Sequence, residues 1–179
     1  MFIPKRVIFE NDSFRYAKAI ELFDYFLGKD IEVIKLNSNR VQGIPGKDLT
    51  EKYAEGKKTL VIGVRKTLKF QTCKPSAHYQ LPLVSGCMGQ CEYCYLNTQL
   101  GDRPFIRSYV NVDEILDQAK KYIKERGDEI TIFEGAATSD PLPVEQYTKG
   151  LSQAIEFFAH QSNGRFRFVT KFTNVEDFL

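Results

Sequence analysis

Three cysteines, Cys87, Cys91 and Cys94, stand together in the run Ser85-Gly86-Cys87-Met88-Gly89-Gln90-Cys91-Glu92-Tyr93-Cys94-Tyr95. Thiolates are the ligands that iron–sulfur clusters and zinc prefer, and a C-x3-C-x2-C loop offers three from one short stretch. Four protein thiolates would close a tetrahedral zinc site or fill every iron of a [4Fe–4S] cluster. Three leave one iron open, and an open position is what a catalytic metal site needs and a structural one avoids. Gly86 and Gly89 keep Cβ atoms away where the backbone has to wrap closely. The competing reading is a zinc knot completed by Cys73 or by His78. Cys73 lies fourteen residues before Cys87, across a predicted strand. A strand of about seven residues spans roughly 23 Å, so closure by Cys73 demands a different path for the chain.

The bulk properties frame this loop. The chain has 179 residues, 42% hydrophobic and 27% charged, with 14 Phe and 9 Tyr, which excludes a disordered or collagen-like chain and supplies a packed core. No window approaches 18 consecutive apolar residues, so no membrane span is expected. The opening MFIPKRVIFEND turns acidic too early for a signal peptide. With four cysteines and no export signal, a reduced, cytoplasmic compartment is expected rather than a disulfide framework. A net charge of +2 neither demands nor excludes a nucleic-acid partner. Arg65, Lys66, Lys69 and Lys74, interleaved with Phe70, could touch DNA phosphates or could form a solvated strand edge.

The elements that must position the loop alternate. Strands are predicted at 5–10, 31–36 and 59–65, with a helix at 13–27 whose N-cap is Ser13 and whose apolar face carries Phe14, Ala17, Ile20 and Leu22. Residues 37–58 read as a loop with a short helix. HYQLPLVSGC reads as one strand running into the cysteine loop. A helix at 112–126 has Asp113 and Glu114 in its first turn and stops at Gly127. A strand at 129–135, a helix at 144–160, a strand at 165–171 and a helix beginning at Asn174 complete the pattern. His78 and His160 are read as structural. Strand–helix–strand repetition means βαβ units and a parallel sheet. We expect an N-terminal α/β module over 1–75 and the first part of a β/α barrel over 76–179. Three strands and two helices fall short of an eight-fold barrel of about 250 residues, so the chain is expected to be the N-terminal part of a longer protein.

C-x3-C-x-aromatic-C after the first strand of a βα repeat is the signature of the radical S-adenosylmethionine (SAM) superfamily, and Cys87, Cys91 and Cys94 fill it with Tyr93 as the aromatic. The surrounding HYQLPLVSGCMGQCEYCYLNT and the later FEGAATSDP resemble the spore photoproduct lyase family over essentially the whole chain. The resemblance implies a partial (β/α)6 TIM-like barrel of which this chain holds the first half. It also implies repair of the methylene-bridged thymine dimer in spore DNA. The cofactors would be a [4Fe–4S] cluster on the three cysteines and SAM on the open iron, the pair generating a 5′-deoxyadenosyl radical. Lesion-bearing DNA and an electron donor such as flavodoxin or ferredoxin would be the partners, in the cytoplasm of a spore-forming bacterium, with no membrane. The damaged pair would be extruded from the duplex into the pocket.

Residue by residue, the resemblance puts Tyr93 near the adenine of SAM and gives Tyr93 and Tyr95 the return of hydrogen to 5′-deoxyadenosine. The alternative is that one packs in the core and the other fills space against the loop. Ser139 and Asp140 match SAM contacts, against the alternative of an N-cap for the next helix. Lys171 matches the partner of the SAM carboxylate, against a solvated strand end. Ala137 departs from the family, whose hydrogen-donating cysteine stands at this point. A methyl group cannot donate hydrogen as a weak S–H bond can. Either this is a Cys→Ala variant made to trap a complex, the reading favoured by the unaltered surroundings, or a natural homologue with another donor. Another radical SAM enzyme with a different substrate, or a zinc or iron–sulfur module that binds nucleic acid, remain the rival functions.

Overall fold

The computed structural model describes residues 2–95, 103–173 and 175. Two sheets contribute to the main hydrophobic core, and Ile8, Val41, Val61 and Phe105 form a second, smaller cluster. The first has the order β2-β1-β3-β7-β6, built from β1 (Arg6–Phe9), β2 (Glu32–Lys35), β3 (Thr59–Gly63), β6 (Val84–Ser85) and β7 (Ile106–Tyr109). Its strands are parallel except β6, which runs antiparallel to β7. Every residue of β1 and β3 is buried, the continuous apolar run of a parallel sheet covered on both faces. The second sheet has the order β4-β5-β8-β9, from β4 (Thr72–Cys73), β5 (Ala77–Gln80), β8 (Thr131–Glu134) and β9 (Gly164–Arg167). After the antiparallel β4–β5 hairpin, β5, β8 and β9 are parallel and each is added on the same side of the last. That one-directional winding is how a β/α barrel grows, whereas the first sheet has strands on both sides of β1.

The helices are α1 (Ala17–Leu27), α2 (Leu49–Lys57), α3 (Val112–Glu125), α4 (Glu145–Thr148) and α5 (Gly150–Ala159). Several expected elements are corrected by the structure. The helix expected from residue 13 begins at Ala17, because Asn11–Arg15 form a 3-10 turn in which the buried Ser13 donates to the Glu10 carbonyl at 2.6 Å. Ser13 is therefore no N-cap; Tyr16 takes that position in an extended conformation. The later start rotates the buried face onto Ala19, Leu22 and Phe26 and leaves Ile20 48% exposed. The single helix expected over 144–160 is two, broken at Lys149, whose φ of 56° is left-handed. The buried Glu145 carboxylate accepts from Leu151 N at 2.7 Å and Ser152 N at 3.0 Å, capping α5 across the break. The strand expected over 165–171 ends at Arg167. Apart from Val175, the helix expected from Asn174 lies outside the described residues.

The most consequential difference is in HYQLPLVSGC. Instead of one strand it makes two, in different sheets. Gln80 pairs with Glu134 of β8, and four residues later Val84 pairs with Ser108 of β7. Pro82 lies in the crossing, where it breaks no ladder. The cysteine loop thus leaves from the seam between the sheets. Strands β6 and β7, both beyond residue 75, complete the sheet that begins the chain.

Aromatic side chains fill the core. Phe9 packs edge-on against Phe23 at 5.3 Å between β1 and α1. In the second sheet Phe133 is fully buried and touches the rings of Phe70, Tyr79 and Phe158, the last at 5.0 Å; Phe158 in turn stacks on Phe166 of β9 at 5.5 Å. Replacing Phe133 with Ala removes the ring that joins β5, β8 and α5. It should cost about 3–5 kcal/mol, measured as a lowered urea midpoint with little change in slope. Glu145→Ala leaves two helix-end N–H groups without acceptors and should cost about 1–3 kcal/mol by the same measurement.

Candidate functional site

The cysteine loop is held at both ends by backbone geometry. Gly86 has a φ of 75°, and a Cβ there would overlap the carbonyl oxygen of Phe105. Only glycine lets the loop leave β6 this close to the start of β7. Gly86 also bridges to Ser139, tying the loop to the segment that follows β8. Beyond it, the N–H of Gly89 donates to Cys87 Sγ at 3.3 Å, and the glycine lies against both Cys87 and Cys91.

All three thiols line one cavity of about 190 Å³, together with Gly89, Tyr93, Ala136, Ser139, Asp140, Val169, Lys171 and Phe172. Cys87 is half-buried; burial pushes its thiol up, and the Asp140 charge adds to this, while the Gly89 N–H and the Lys57 ammonium favour the thiolate. Lys57 donates to the Cys87 carbonyl at 2.7 Å. Burial lowers its own pKa, against the pull of all three thiols. Among the described residues no three His, Cys, Asp or Glu side chains are gathered tightly enough to hold a metal ion as they stand. The donor set nonetheless suits an iron–sulfur cluster: three sulfurs on one cavity wall, with no Cβ between two of them and a cation behind the loop.

Asp140 does more than the two roles expected for it. Its Oδ2 accepts from Thr170 Oγ1 at 2.9 Å and from Lys171 N at 3.0 Å, and its Oδ1 accepts from Leu142 N at 3.2 Å. The carboxylate therefore straps the loop after β8 to the loop after β9. Burial pushes its pKa up against these three donors. Lys171 is exposed and reaches the cavity wall through this strap; the buried Ser139 also lines it.

A second cavity of about 150 Å³ shares Ser139 with the first. Its lining includes Arg65, Gln71, Gln80, Ser85, Tyr109, Glu134, Ala137 and Thr138. The two successive alanines thus serve different cavities, Ala136 the thiol side and Ala137 the neighbour. Glu134 shapes this turn by accepting from Ala136 N at 3.1 Å while paired with Arg167 at 2.8 Å. Tyr109 donates to Ser85 Oγ at 3.1 Å across the cavity wall.

Tyr93 is 81% and Tyr95 61% exposed, so neither packs in the core; only Tyr93 lines the thiol cavity. Cys73 and His78 are not brought to it. Cys73 Sγ lies 3.5 Å from Ser76 Oγ on the β4–β5 hairpin, and His78 Nδ1 accepts from Ile132 N at 2.9 Å. His160 contacts the Glu156 carbonyl of its own helix. In the basic run, Phe70 belongs to the core and Lys66 pairs with Asp12 at 2.7 Å. Sequence reasoning missed Lys57, Val169 and Phe172, none of which carries a motif.

Comparison with known proteins assigns the chain a family. Residues 2–179 match the family described as spore photoproduct lyase. The spore photoproduct lyase of Clostridium acetobutylicum is 51% identical over 175 residues, and that of Bacillus subtilis 50% over 179. These matches cover 98% and 99% of this chain but 52% of each relative, so the chain spans about half their length. Among solved structures, a spore photoproduct lyase double mutant with bound AdoMet and dinucleoside spore photoproduct superposes with a TM-score of 0.94 at 50% identity. It is covered to 52% by 98% of this chain. A spore photoproduct lyase complexed with the dinucleoside spore photoproduct gives 0.94 at 49%, with the same coverage. With a family match across nearly every residue and half of all positions identical to its members, the chain belongs to the spore photoproduct lyase family.

Proposed function

We propose that this chain carries the cofactor-binding face of a DNA repair lyase that reverts the spore photoproduct to two thymines. In this reading residues 1–75 begin an N-terminal α/β module whose sheet β6 and β7 complete, and the rest of residues 76–179 supplies the first half of a partial barrel. The observation that carries the reading is the convergence of Cys87, Cys91 and Cys94, from the loop after β6, with Ser139 and Lys171, which follow the parallel strands β8 and β9, on one cavity. The thiols would hold a [4Fe–4S] cluster whose open iron takes SAM, and together these supply a 5′-deoxyadenosyl radical.

The chain's own side chains do the rest. Ser139 and Lys171 would hold the polar end of SAM, with Asp140 fixing the Lys171 backbone rather than contacting the ligand alone. Tyr93, on the rim of the cavity, would lie beside the adenine, and Tyr93 and Tyr95 would return hydrogen. The second cavity, with Gln71, Gln80 and Thr138 as hydrogen-bonding groups, would take the lesion. Ala137 lies in its wall, and by the family resemblance this would be the position of the hydrogen donor. The lesion would reach it from a bent duplex, and an electron donor of the flavodoxin or ferredoxin class would reduce the cluster in the cytoplasm of a spore-former.

Anaerobic reconstitution should give a brown protein with about four irons, the stoichiometry of a cubane on three thiolates, and Cys91→Ala should abolish it. A colourless protein that takes one zinc would overturn the reading. With a synthetic spore-photoproduct dinucleotide and dithionite, the protein should cleave SAM and consume lesion yet form intact dithymine poorly. Ala137→Cys should raise the dithymine yield by at least tenfold; normal repair by the unaltered chain without added thiol would refute the role given to this position.

A further inference from the structure

Lys57 ends α2 in the first sheet's half of the molecule, far in sequence from the cysteines, yet its side chain is buried beneath their loop with 2% of its surface exposed. Lysine is seldom so deeply buried unless its charge is engaged. Its Nζ donates to the carbonyl oxygen of Cys87 at 2.7 Å and lies 5.2 Å from the centre of the Tyr53 ring. All three thiols of the loop are close enough to act on its charge. The nearby acid facing the same thiols, Asp140, spends its carboxylate on three donors of its own.

We propose that Lys57 is a positioning residue for the cluster, anchoring the Cys87 end of the loop and raising the reduction potential of the metal centre held there. The proposal rests on the reading of the thiol cavity as a cluster site. Two effects combine in one ammonium group. A hydrogen bond from a charged donor is stronger than a neutral one, so it fixes the ligand backbone. A [4Fe–4S]2+ core on three thiolates carries a net charge of −1, and one-electron reduction makes it −2. A fixed positive charge in a poorly solvated place stabilises the more negative state more. The step moves one electron from a reductant such as dithionite to the cluster, and no bond or proton need change. Helix α2 thereby gives the first sheet a hand in how readily the centre is reduced.

The test is a redox titration followed by electron paramagnetic resonance on reconstituted wild-type protein and the Lys57→Arg, Lys57→Gln and Lys57→Met variants, with iron counted in each. Glutamine keeps a donor and loses the charge; methionine loses both. The reduction equilibrium should weaken at least tenfold in the glutamine and methionine variants, a fall of about 59 mV for one electron. The arginine variant should stay within that margin of wild type. Methionine should also load less iron than glutamine. A folded, loaded neutral variant with the wild-type midpoint overturns the proposal. If neither neutral variant folds, arginine decides: a wild-type midpoint and iron content uphold it, and a tenfold weaker equilibrium in a folded arginine variant overturns it. Wild-type protein that binds no iron overturns the cluster reading and this proposal together, whereas loaded variants indifferent to charge overturn only the role of Lys57.

Discussion

The site depends on one short pairing. Val84 and Ser85 hydrogen-bond to β7 of the first sheet, although Gln80 still belongs to the second. Because β5 and β6 lie in different sheets, the short link between them carries the chain across the seam. The loop that follows is then clamped between β7, through Gly86 against Phe105, and the segment after β8, through the bridge to Ser139. A cysteine loop at the end of an ordinary barrel strand would be supported from one sheet. Here the two sheets hold it jointly, and the side chains that address it come from both.

Opposite charges bracket the thiols as a result. Lys57 arrives from α2 behind the Cys87 carbonyl, and Asp140 arrives from the loop after β8. Each is buried, and burial works against the charge of each. Such groups are tolerated where hydrogen bonds replace the lost water. Asp140 has three donors, and Lys57 has a backbone carbonyl and an aromatic face. The same carboxylate that balances the site electrostatically also joins the ends of β8 and β9. Architecture and local field are thus properties of one side chain.

Much of this was legible in the sequence, for reasons that differ by element. The uninterrupted apolar runs of β1 and β3 and the amphipathic α3 are local signals, and they survive folding with boundaries shifted by a few residues. The cysteine spacing is also local, and the cavity gathers Ser139, Asp140 and Lys171 beside the three thiols. What escaped is set by tertiary context. Strand β7 is four residues long and is a strand because β3 and β6 flank it. The break at Lys149 follows from Glu145 reaching forward to cap α5, a contact six residues away. Phe70 looked like an aromatic among surface lysines and is core, because Phe133 and Tyr122 wait on the other side. Lys57 carries no motif, and only the fold buries it beneath the cysteine loop.

The two glycines of the loop differ in kind, and that difference grades how freely sequences of this sort can drift. At Gly89 an added methyl would meet sulfur at ordinary van der Waals range, 3.4 Å from Cys87 Sγ. At Gly86 both the dihedral and the neighbouring carbonyl forbid any side chain. Substitution at Gly89 therefore asks only for ordinary contact with sulfur, while at Gly86, just ahead of the first cysteine, the backbone beside β7 leaves no room for a side chain.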